Sequence, residues 1–260
     1  MSEGTVSIRI ESHPGGNVAH VTIEREKKLN ALSHDQAIRF MEAFDALHDV
    51  EDLRAVVLSG AGERAFMGGA DVQELRQLDA ESGRAFIEAV HGVCDCVRSC
   101  PVPVIGRING FCLGAGMELA AACDIRIVSK RAVFGMPEVQ VGLPSVVEAA
   151  LLPMLIGWGK TRWLVLTGET ITSEVANEWG FVEVLVDDDE LDETVAKTVA
   201  SIVQAAPLAV RAQKRLTRRW ETHNINDAIQ LGIDTFENAC RTDEPRRYVD
   251  AMLERHRQSK

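Results

Sequence analysis

Hydrophobic and polar positions alternate with a period of two near the start of the chain, over residues 5–10 and again over residues 18–25. This period is typical of β-strands with one buried face. The intervening His-Pro-Gly-Gly stretch, residues 13–16, has the composition of a tight turn. The two segments are therefore predicted to form a β-hairpin.

The pattern then changes to helical spacing, behind Ser33 as an N-cap and Gln36 three residues later. Apolar residues recur every three or four positions from here on, at Ala37, Phe40, Met41, Phe44 and Leu47. They predict a helix with one buried face. The apolar run of residues 55–58 follows and ends at Gly60, which predicts a strand covered on both faces in a parallel sheet.

The middle of the chain repeats this order of elements. A helical stretch over residues 82–98 precedes Pro101 and Pro103, a short strand over residues 104–108, and an Asn-Gly turn. Gly114-Ala115-Gly116 then opens a helix, and residues 123–129 form the next predicted strand. This alternation predicts an α/β fold with ligand sites beyond the carboxyl ends of the strands. From Pro144 onward we expect almost only helices, with starts near residues 145, 160, 172, 190, 207, 226 and 245.

Composition narrows the classes of function. The chain has 260 residues, of which 46% are hydrophobic, and its net charge is −11, which disfavours binding to nucleic acids and anionic membranes. Six cysteines without a CxxC pair, and seven scattered histidines, indicate reduced thiols and no metal site. No targeting peptide or membrane-spanning segment is visible in the sequence. We therefore expect a cytoplasmic protein.

Three motifs could carry chemistry, and the first is the loop of residues 65–73, Ala-Phe-Met-Gly-Gly-Ala-Asp-Val-Gln. Its two glycines allow a close approach of the backbone to a ligand and leave the Ala70 amide free to point at it. The alternative is a tight loop before a helix that is N-capped by Asp71.

The second motif, residues 109–119, breaks a strand into a small-residue turn and a helix whose first amides face outward. Leu119 stands where a dinucleotide-binding fingerprint needs its third glycine, so we reject a nucleotide fold. Glu118 shares a helix face with the outward amide of Ala115. Its alternative role is favourable pairing with the helix dipole.

The third motif, residues 134–144, places Glu138 among apolar residues and between two prolines. Partial shielding from water would suit this carboxylate to acid/base work. Most glutamates are solvated, so the alternative is that Glu138 is an ordinary solvated side chain without a role in catalysis.

In this order and spacing the three motifs resemble the crotonase superfamily, the enoyl-CoA hydratase/isomerase family. Asn30-Ala-Leu32, Cys123-Asp-Ile125 and Phe134-Gly-x-Pro-Glu138 belong to the same resemblance, which covers nearly the whole chain. It implies an α/β crotonase-like (ClpP/crotonase) core of ββα units over residues 1–200. It also implies a helical C-terminal region over residues 201–260 that mediates assembly into a trimer or a dimer of trimers, a hexamer.

The resemblance also implies roles for individual residues. The amides of Ala70 and Ala115 would form an oxyanion hole for an acyl-CoA thioester, and Glu118 and Glu138 would be the hydratase pair. Hydration needs two acid/base groups whereas isomerisation can use one, so the presence of both favours hydratase. No cofactor is expected beyond the CoA of the substrate. The residues expected to bind substrate and CoA are Lys28, Leu29, Ala65, Gly68, Gly69, Asp71, Val72, Gln73 and Gly114.

Two departures from the family pattern keep alternatives open. Ala115 interrupts a run that usually has three glycines, and Glu148 stands where many hydratases carry a small residue. Glu148 would be either a third carboxylate near the acyl pocket or a cap on the helix predicted from Ser145, and we favour the cap. If it is the third carboxylate, an isomerase or a carbon–carbon hydrolase becomes the alternative function.

A basic cluster lies on the helix predicted from residue 207. Its members are Arg211, Lys214, Arg215, Arg218 and Arg219. The cluster suits a solvated helix face, a clamp for CoA phosphates or a non-catalytic, RNA-binding scaffold. Arg255 and Arg257 are further candidates for the phosphate clamp.

Overall fold

A computed structural model describes residues 4–258, which form ten strands and ten α-helices. The strands are β1 (Thr5–His13), β2 (Gly16–Glu24), β3 (Leu53–Gly60), β4 (Ala65–Met67), β5 (Val104–Ile108), β6 (Phe111–Leu113), β7 (Ile125–Ser129), β8 (Val133–Gly135), β9 (Thr170–Thr172) and β10 (Val184–Val186). The helices are α1 (His34–Ala46), α2 (Val72–Leu75), α3 (Ala80–Ser99), α4 (Ala115–Ala122), α5 (Leu152–Thr167), α6 (Ser173–Glu178), α7 (Leu191–Gln204), α8 (Pro207–Trp220), α9 (Ile225–Cys240) and α10 (Glu244–Gln258).

The larger sheet has six strands in the order β1-β2-β3-β5-β7-β10. β1 and β2 form the predicted antiparallel hairpin, and Gly16 provides the positive φ of 129° that its turn needs. All other neighbours in this sheet are parallel. Seven of the eight residues of β3 are buried, because β3 lies between two other strands and both faces of the sheet are covered there.

The smaller sheet, β4-β6-β8-β9, positions the candidate site. β4 pairs in parallel with β6, and β6 in parallel with β8, whereas β9 is antiparallel to β8. The carboxyl ends of β4, β6 and β8 therefore meet at one edge of this sheet. Each of the three motifs identified in the sequence overlaps one of these strands and continues past its carboxyl end.

Helices cover the sheets with the faces that their apolar spacing predicts. Ser33 caps α1 by accepting a hydrogen bond from the Gln36 amide, as expected. α1 buries Ala37, Phe40 and Phe44 against α3, and all eight residues of α4 are buried. The helix that carries Glu118 is thus enclosed by protein on every side.

Several elements of secondary structure differ from the sequence expectations. The short strands β4, β6, β8, β9 and β10 are not predicted, since three residues are too few to show a period. A helix beginning near Ser145 is wrong: a 3₁₀ segment, Val147–Leu151, comes first, and α5 begins at Leu152. Gly157, with φ 78° and ψ 157°, then breaks α5 close to the helix start predicted at residue 160.

The C-terminal helices are tied to the core by a buried lysine. Lys214 on α8 donates hydrogen bonds to the carbonyl oxygens of Val97 and Val102, each at 3.0 Å, and lies 2.7 Å from a carboxylate oxygen of Asp124. Residue 200 falls within α7, and the division of the chain at that point stays a prediction. Within residues 4–258, no helix is long and apolar enough to cross a membrane.

Candidate active site

The ends of three parallel strands bring the predicted motifs together. Gly68 and Gly69 follow β4, Gly114 follows β6, and Glu138 comes three residues after β8. A Cβ atom built on Gly114 would lie 3.9 Å from the Cα atom of Gly69, so the two glycine loops are in direct contact. A Cβ atom on Gly69 would lie 3.1 Å from the Leu113 carbonyl oxygen, so a side chain there would crowd the loop after β6.

Two main-chain amides in these loops are available to a ligand. Leu32 donates a hydrogen bond to the Gly69 carbonyl and accepts one from the Asp71 amide, each at 2.8 Å. Because successive peptide groups of an extended segment alternate in direction, the Ala70 N–H points away from Leu32. Ala115 is the first residue of α4, so its N–H has no acceptor within the helix. This is the kind of amide pair that an oxyanion hole needs.

The N-terminus of α4 lies directly against β4. A Cβ atom on Gly116 would be 2.2 Å from the Met67 carbonyl oxygen, so only glycine fits there. Gly114 has a φ of 52°, which glycine adopts without strain. The Gly-Ala-Gly turn therefore keeps glycine at the two crowded positions and carries its methyl group at Ala115 between them.

A buried asparagine holds the first loop in place, although the sequence analysis used it only as part of the family resemblance. The amide group of Asn30, which is fully buried, donates to the carbonyl oxygens of Ala65 (2.8 Å) and Ala61 (3.0 Å). Its side-chain oxygen accepts from the Arg25 N–H at 3.0 Å. The Arg25 guanidinium in turn lies 2.7 Å from a carboxylate oxygen of Asp71. Asn30 and Arg25 thus support the loop that presents Ala70.

The residues expected to bind CoA gather around this loop but differ in exposure. Lys28, Val72 and Gln73 are exposed, whereas Ala65 and Asp71 are buried. Asp71 caps α2 by accepting a hydrogen bond from the Gln73 amide at 2.9 Å, as its alternative role predicted. Leu29 accepts a hydrogen bond from the Gly68 amide at 2.8 Å. That these nine residues bind substrate and CoA stays a prediction.

Glu118 is a buried carboxylate on α4, with only 4% of its surface exposed. Its Oε1 accepts a hydrogen bond from the Ala149 amide at 3.2 Å. Burial, and next the negative charge of Glu138, raise the pKa of Glu118 to about 8. At neutral pH this carboxyl group therefore holds a proton that it can deliver.

Glu138 faces the glycine turn from the other side. It is half-buried, and its Oε2 accepts a hydrogen bond from the Ser145 hydroxyl at 2.7 Å. Its Oε1 would be 2.3 Å from a Cβ atom on Gly114, so the carboxylate lies against the turn that opens α4. Glu118 and Glu138 thus form a pair of interacting carboxyl groups beside the two free amides. Sequence reasoning did not identify Ser145, because its contact depends on the fold of the 3₁₀ segment Pro137–Val141.

Glu148 is not a helix cap, contrary to the favoured expectation. It lies in the 3₁₀ segment Val147–Leu151, is 4% exposed, and its Oε1 lies 2.9 Å from Nδ1 of His91 on α3. Its carboxylate therefore contacts a side chain of another element, and among residues 4–258 it caps no helix start.

The basic cluster of α8 is largely occupied by contacts within the chain. Arg211 donates to the Leu53 carbonyl at 2.8 Å, Lys214 is buried against Asp124, and Arg218 lies 2.6 Å from a carboxylate oxygen of Asp95. Arg215 and Arg219 are exposed. The contacts favour a structural role for this helix. No group of three or more His, Cys, Asp or Glu side chains among residues 4–258 is placed to hold a metal ion.

Comparison with known proteins gives consistent matches along the chain. A short-chain enoyl-CoA hydratase from Clostridium acetobutylicum is 34% identical over 243 residues, 93% of each chain. A crotonyl-CoA hydratase from Syntrophomonas wolfei is 32% identical over 92% of this chain and 93% of its own. The crystal structure of an enoyl-CoA hydratase from Bacillus anthracis superposes with a TM-score of 0.91, at 29% identity and 96% coverage of both chains.

The family description "Enoyl-CoA hydratase/isomerase" matches residues 14–259, nearly the entire sequence. The crotonase fold expected from the motifs is confirmed by the superposition. This chain belongs to the enoyl-CoA hydratase/isomerase family.

Proposed function

We propose that this protein is an enoyl-CoA hydratase, a hydro-lyase that adds water across the 2,3 double bond of a 2-enoyl-CoA thioester. One observation carries the proposal. Two interacting carboxyl groups, Glu118 and Glu138, lie at the same sheet edge as the outward amides of Ala70 and Ala115. Hydration of a conjugated thioester needs both kinds of group.

The amides would act on the thioester oxygen. When a hydroxyl group adds to Cβ, negative charge moves onto this oxygen, and fixed N–H donors stabilise it without reorganisation. Loss of one such donor typically costs about 3 kcal/mol in the barrier. Ala70 and Ala115 are held by backbone contacts with Leu32, Met67 and Gly69, which keep the donors in place.

The two carboxyl groups would move the protons. With the pKa of Glu118 raised to about 8 by burial and by Glu138, the pair retains one proton at neutral pH. The ionised carboxylate takes a proton from water as the oxygen bonds to Cβ, and the protonated carboxyl group gives its proton to Cα. The product is a 3-hydroxyacyl-CoA, and the pair again holds one proton in total.

CoA is part of the substrate in this proposal, and no other cofactor is required. The exposed residues Lys28, Val72 and Gln73, with the backbone around Leu29, Gly68 and Gly69, would hold the CoA moiety. The names of two relatives, a short-chain enoyl-CoA hydratase and a crotonyl-CoA hydratase, support a short acyl chain.

We also propose a homo-oligomer, a trimer or a dimer of trimers. Large apolar side chains are exposed on α5 and along α9 and α10, and monomers rarely expose so many together. The most exposed of them are Met154, Trp158, Leu166, Ile225, Ile229, Ile233 and Phe236. A cytoplasmic location is supported by the six cysteines, which are all free thiols.

Isomerase or carbon–carbon hydrolase chemistry is the second candidate, and Glu148 was its motivation. The contact of Glu148 with His91 ties this carboxylate to α3, which disfavours a third carboxylate in contact with the acyl group. Hydratase chemistry remains the function that the arrangement supports best.

The experiment follows the absorbance of the enoyl thioester with crotonyl-CoA, a longer 2-enoyl-CoA and a 3-enoyl-CoA. We expect saturable loss of the conjugated absorbance with crotonyl-CoA, and 3-hydroxybutyryl-CoA as the product by mass spectrometry. Appearance of conjugated absorbance from the 3-enoyl-CoA, without hydration of crotonyl-CoA, would instead establish an isomerase.

A further inference from the structure

Glu148 is a buried carboxylate that takes no part in the hydration mechanism proposed above. Its Oε1 atom lies 2.9 Å from His91 Nδ1, a distance at which the ring N–H donates to the carboxylate. Its Oε2 atom is buried, with no hydrogen-bond partner among residues 4–258. A buried, incompletely paired carboxylate destabilises a fold, so a gain elsewhere is needed to explain it.

Ala149, one residue further along the chain, makes a contact that explains why Glu148 is kept buried. The N–H of Ala149 is shared between the Val146 carbonyl oxygen at 2.9 Å and Oε1 of Glu118 at 3.2 Å, so the segment that carries Glu148 also holds the candidate catalytic carboxyl group. Val147 has a φ of 38°, a left-handed conformation that strains a β-branched residue. A segment with such strain keeps its shape only if neighbouring contacts hold it.

His91 supplies that contact from α3. Its side chain is 54% exposed, whereas the carboxylate that it contacts is almost completely buried. The pair thus connects α3 to the strained segment over a single hydrogen bond. One guanidinium nitrogen of Arg98, about two helical turns further along α3, lies 3.9 Å from the same Oε1, and the other is paired with Glu221.

We propose that His91 and Glu148 form a positioning pair that holds the Ala149 amide on the Glu118 carboxyl group. The proposal rests on the hydratase function proposed above and adds to it two residues that act through Glu118. Neither needs to touch the substrate.

The charges around the pair determine what each member does. Glu118 faces Glu138 and Glu148, and Glu148 faces His91, Arg98 and the Cys94 thiol. After burial and Glu138, the charge of Glu148 contributes to raising the pKa of Glu118, while the hydrogen bond from Ala149 lowers it. The charge of Glu148 and the amide that it positions therefore act on Glu118 in opposite directions.

These opposite effects make the test specific. His91→Leu removes the anchor of the segment, so the Ala149 hydrogen bond is weakened and the titration midpoint of Glu118 moves to higher pH. Glu148→Gln keeps an acceptor for His91 but removes the charge, so the midpoint moves to lower pH. His91→Gln retains a donor and should stay close to wild type. His48→Leu, at an exposed histidine on the 3₁₀ turn Leu47–Asp49, is the matched control.

Two measurements are made on each variant. The first is the pH profile of kcat and kcat/KM with crotonyl-CoA, where we expect a roughly 10-fold lower kcat in His91→Leu with little change in KM. The second is an infrared titration of the protonated carboxyl band that is absent from Glu118→Gln, which needs no turnover. Thermal melting confirms that each variant is folded, and the exposure of His91 favours folding of its variants.

The outcomes separate this proposal from the proposed function. If wild type does not hydrate enoyl-CoA, the function fails, but the infrared midpoints still test the pair. If wild type is active and the midpoints of His91→Leu and Glu148→Gln equal that of wild type, the positioning role is wrong. A lower melting temperature with unchanged midpoints would show that the pair only stabilises the fold, and would also overturn the proposal.

Discussion

The hydroxyl group of Ser145 donates a hydrogen bond to Oε2 of Glu138, with 2.7 Å between the two oxygens. This contact orients the carboxylate so that its other oxygen, Oε1, lies against Gly114 at the start of α4. Glu118 instead is enclosed by protein and accepts a main-chain hydrogen bond. The two members of the pair therefore have different environments, as a proton donor and a proton acceptor must.

Glu118→Gln and Glu138→Gln should each lower kcat for crotonyl-CoA by roughly 10²- to 10⁴-fold, the usual contribution of a general acid or base. The amide keeps the shape of the side chain but does not exchange the proton. Initial rates from the loss of enoyl absorbance measure the effect. Glu88→Gln, at an exposed carboxylate of α3, is the control and should retain full activity. Normal turnover in either site variant would remove that residue from the pair.

The free energy of unfolding should decrease as pH rises, because of Glu118. Its pKa is raised from 4.5 to about 8, first by burial. Between these values the unfolded chain releases the proton and the folded chain keeps it, so the free energy of unfolding decreases as pH rises. Melting temperatures of wild type and Glu118→Gln, at one protein concentration, should converge below pH 4.5. As pH rises from 4.5 to about 8, the melting temperature of the variant should become increasingly higher than that of wild type. A constant difference would contradict this assignment.

Gly114→Ala should lower kcat by roughly 100-fold, because its Cβ would lie 2.3 Å from Glu138 Oε1 and displace that carboxylate. The φ of 52° adds strain of about 1–2 kcal/mol. Gly157→Ala is a suitable control, since Gly157 has a φ of 78° and no neighbour within 4 Å of its ideal Cβ. Both variants should lose stability, but only Gly114→Ala should lose activity to this extent.

Asn30→Ala should destabilise the protein by about 3 kcal/mol. It leaves the carbonyl oxygens of Ala65, which is buried, and of Ala61, which is partly buried, without their donor and places alanine at a φ of 55°. Thermal melting compares it with Asn177→Ala at an exposed position of α6, where a change below about 0.5 kcal/mol is expected. Equal melting temperatures for the two variants would show that Asn30 does not hold the loop.

Phe236→Glu should dissociate the proposed oligomer, because it places a charge on a side chain that is 74% exposed in the single chain. Light scattering during size-exclusion chromatography measures the mass. Gln230→Glu adds the same charge to an exposed polar position of α9 and should leave the mass unchanged. A wild-type mass equal to that of one chain would exclude the oligomer itself.

The sequence was sufficient wherever the information is local. The hairpin, the cap at Ser33, the cap at Asp71 and the buried strand β3 follow from short-range periodicity and hydrogen bonding, and all are found in the structure. The motifs around Ala70, Ala115, Glu118 and Glu138 were specific enough to identify the family, because crowded turns accept only glycine at certain positions.

Tertiary structure alone decided the contacts between distant segments. Three-residue strands such as β6 and β8 exist only because they pair with each other, and their shared edge unites the motifs. Ser145 on Glu138, the Ala149 amide on Glu118 and His91 on Glu148 join residues that are 7, 31 and 57 positions apart. The physical reason is that burial and hydrogen-bond partners, which determine the state of a carboxyl group, depend on what packs around it and not on its neighbours in the chain.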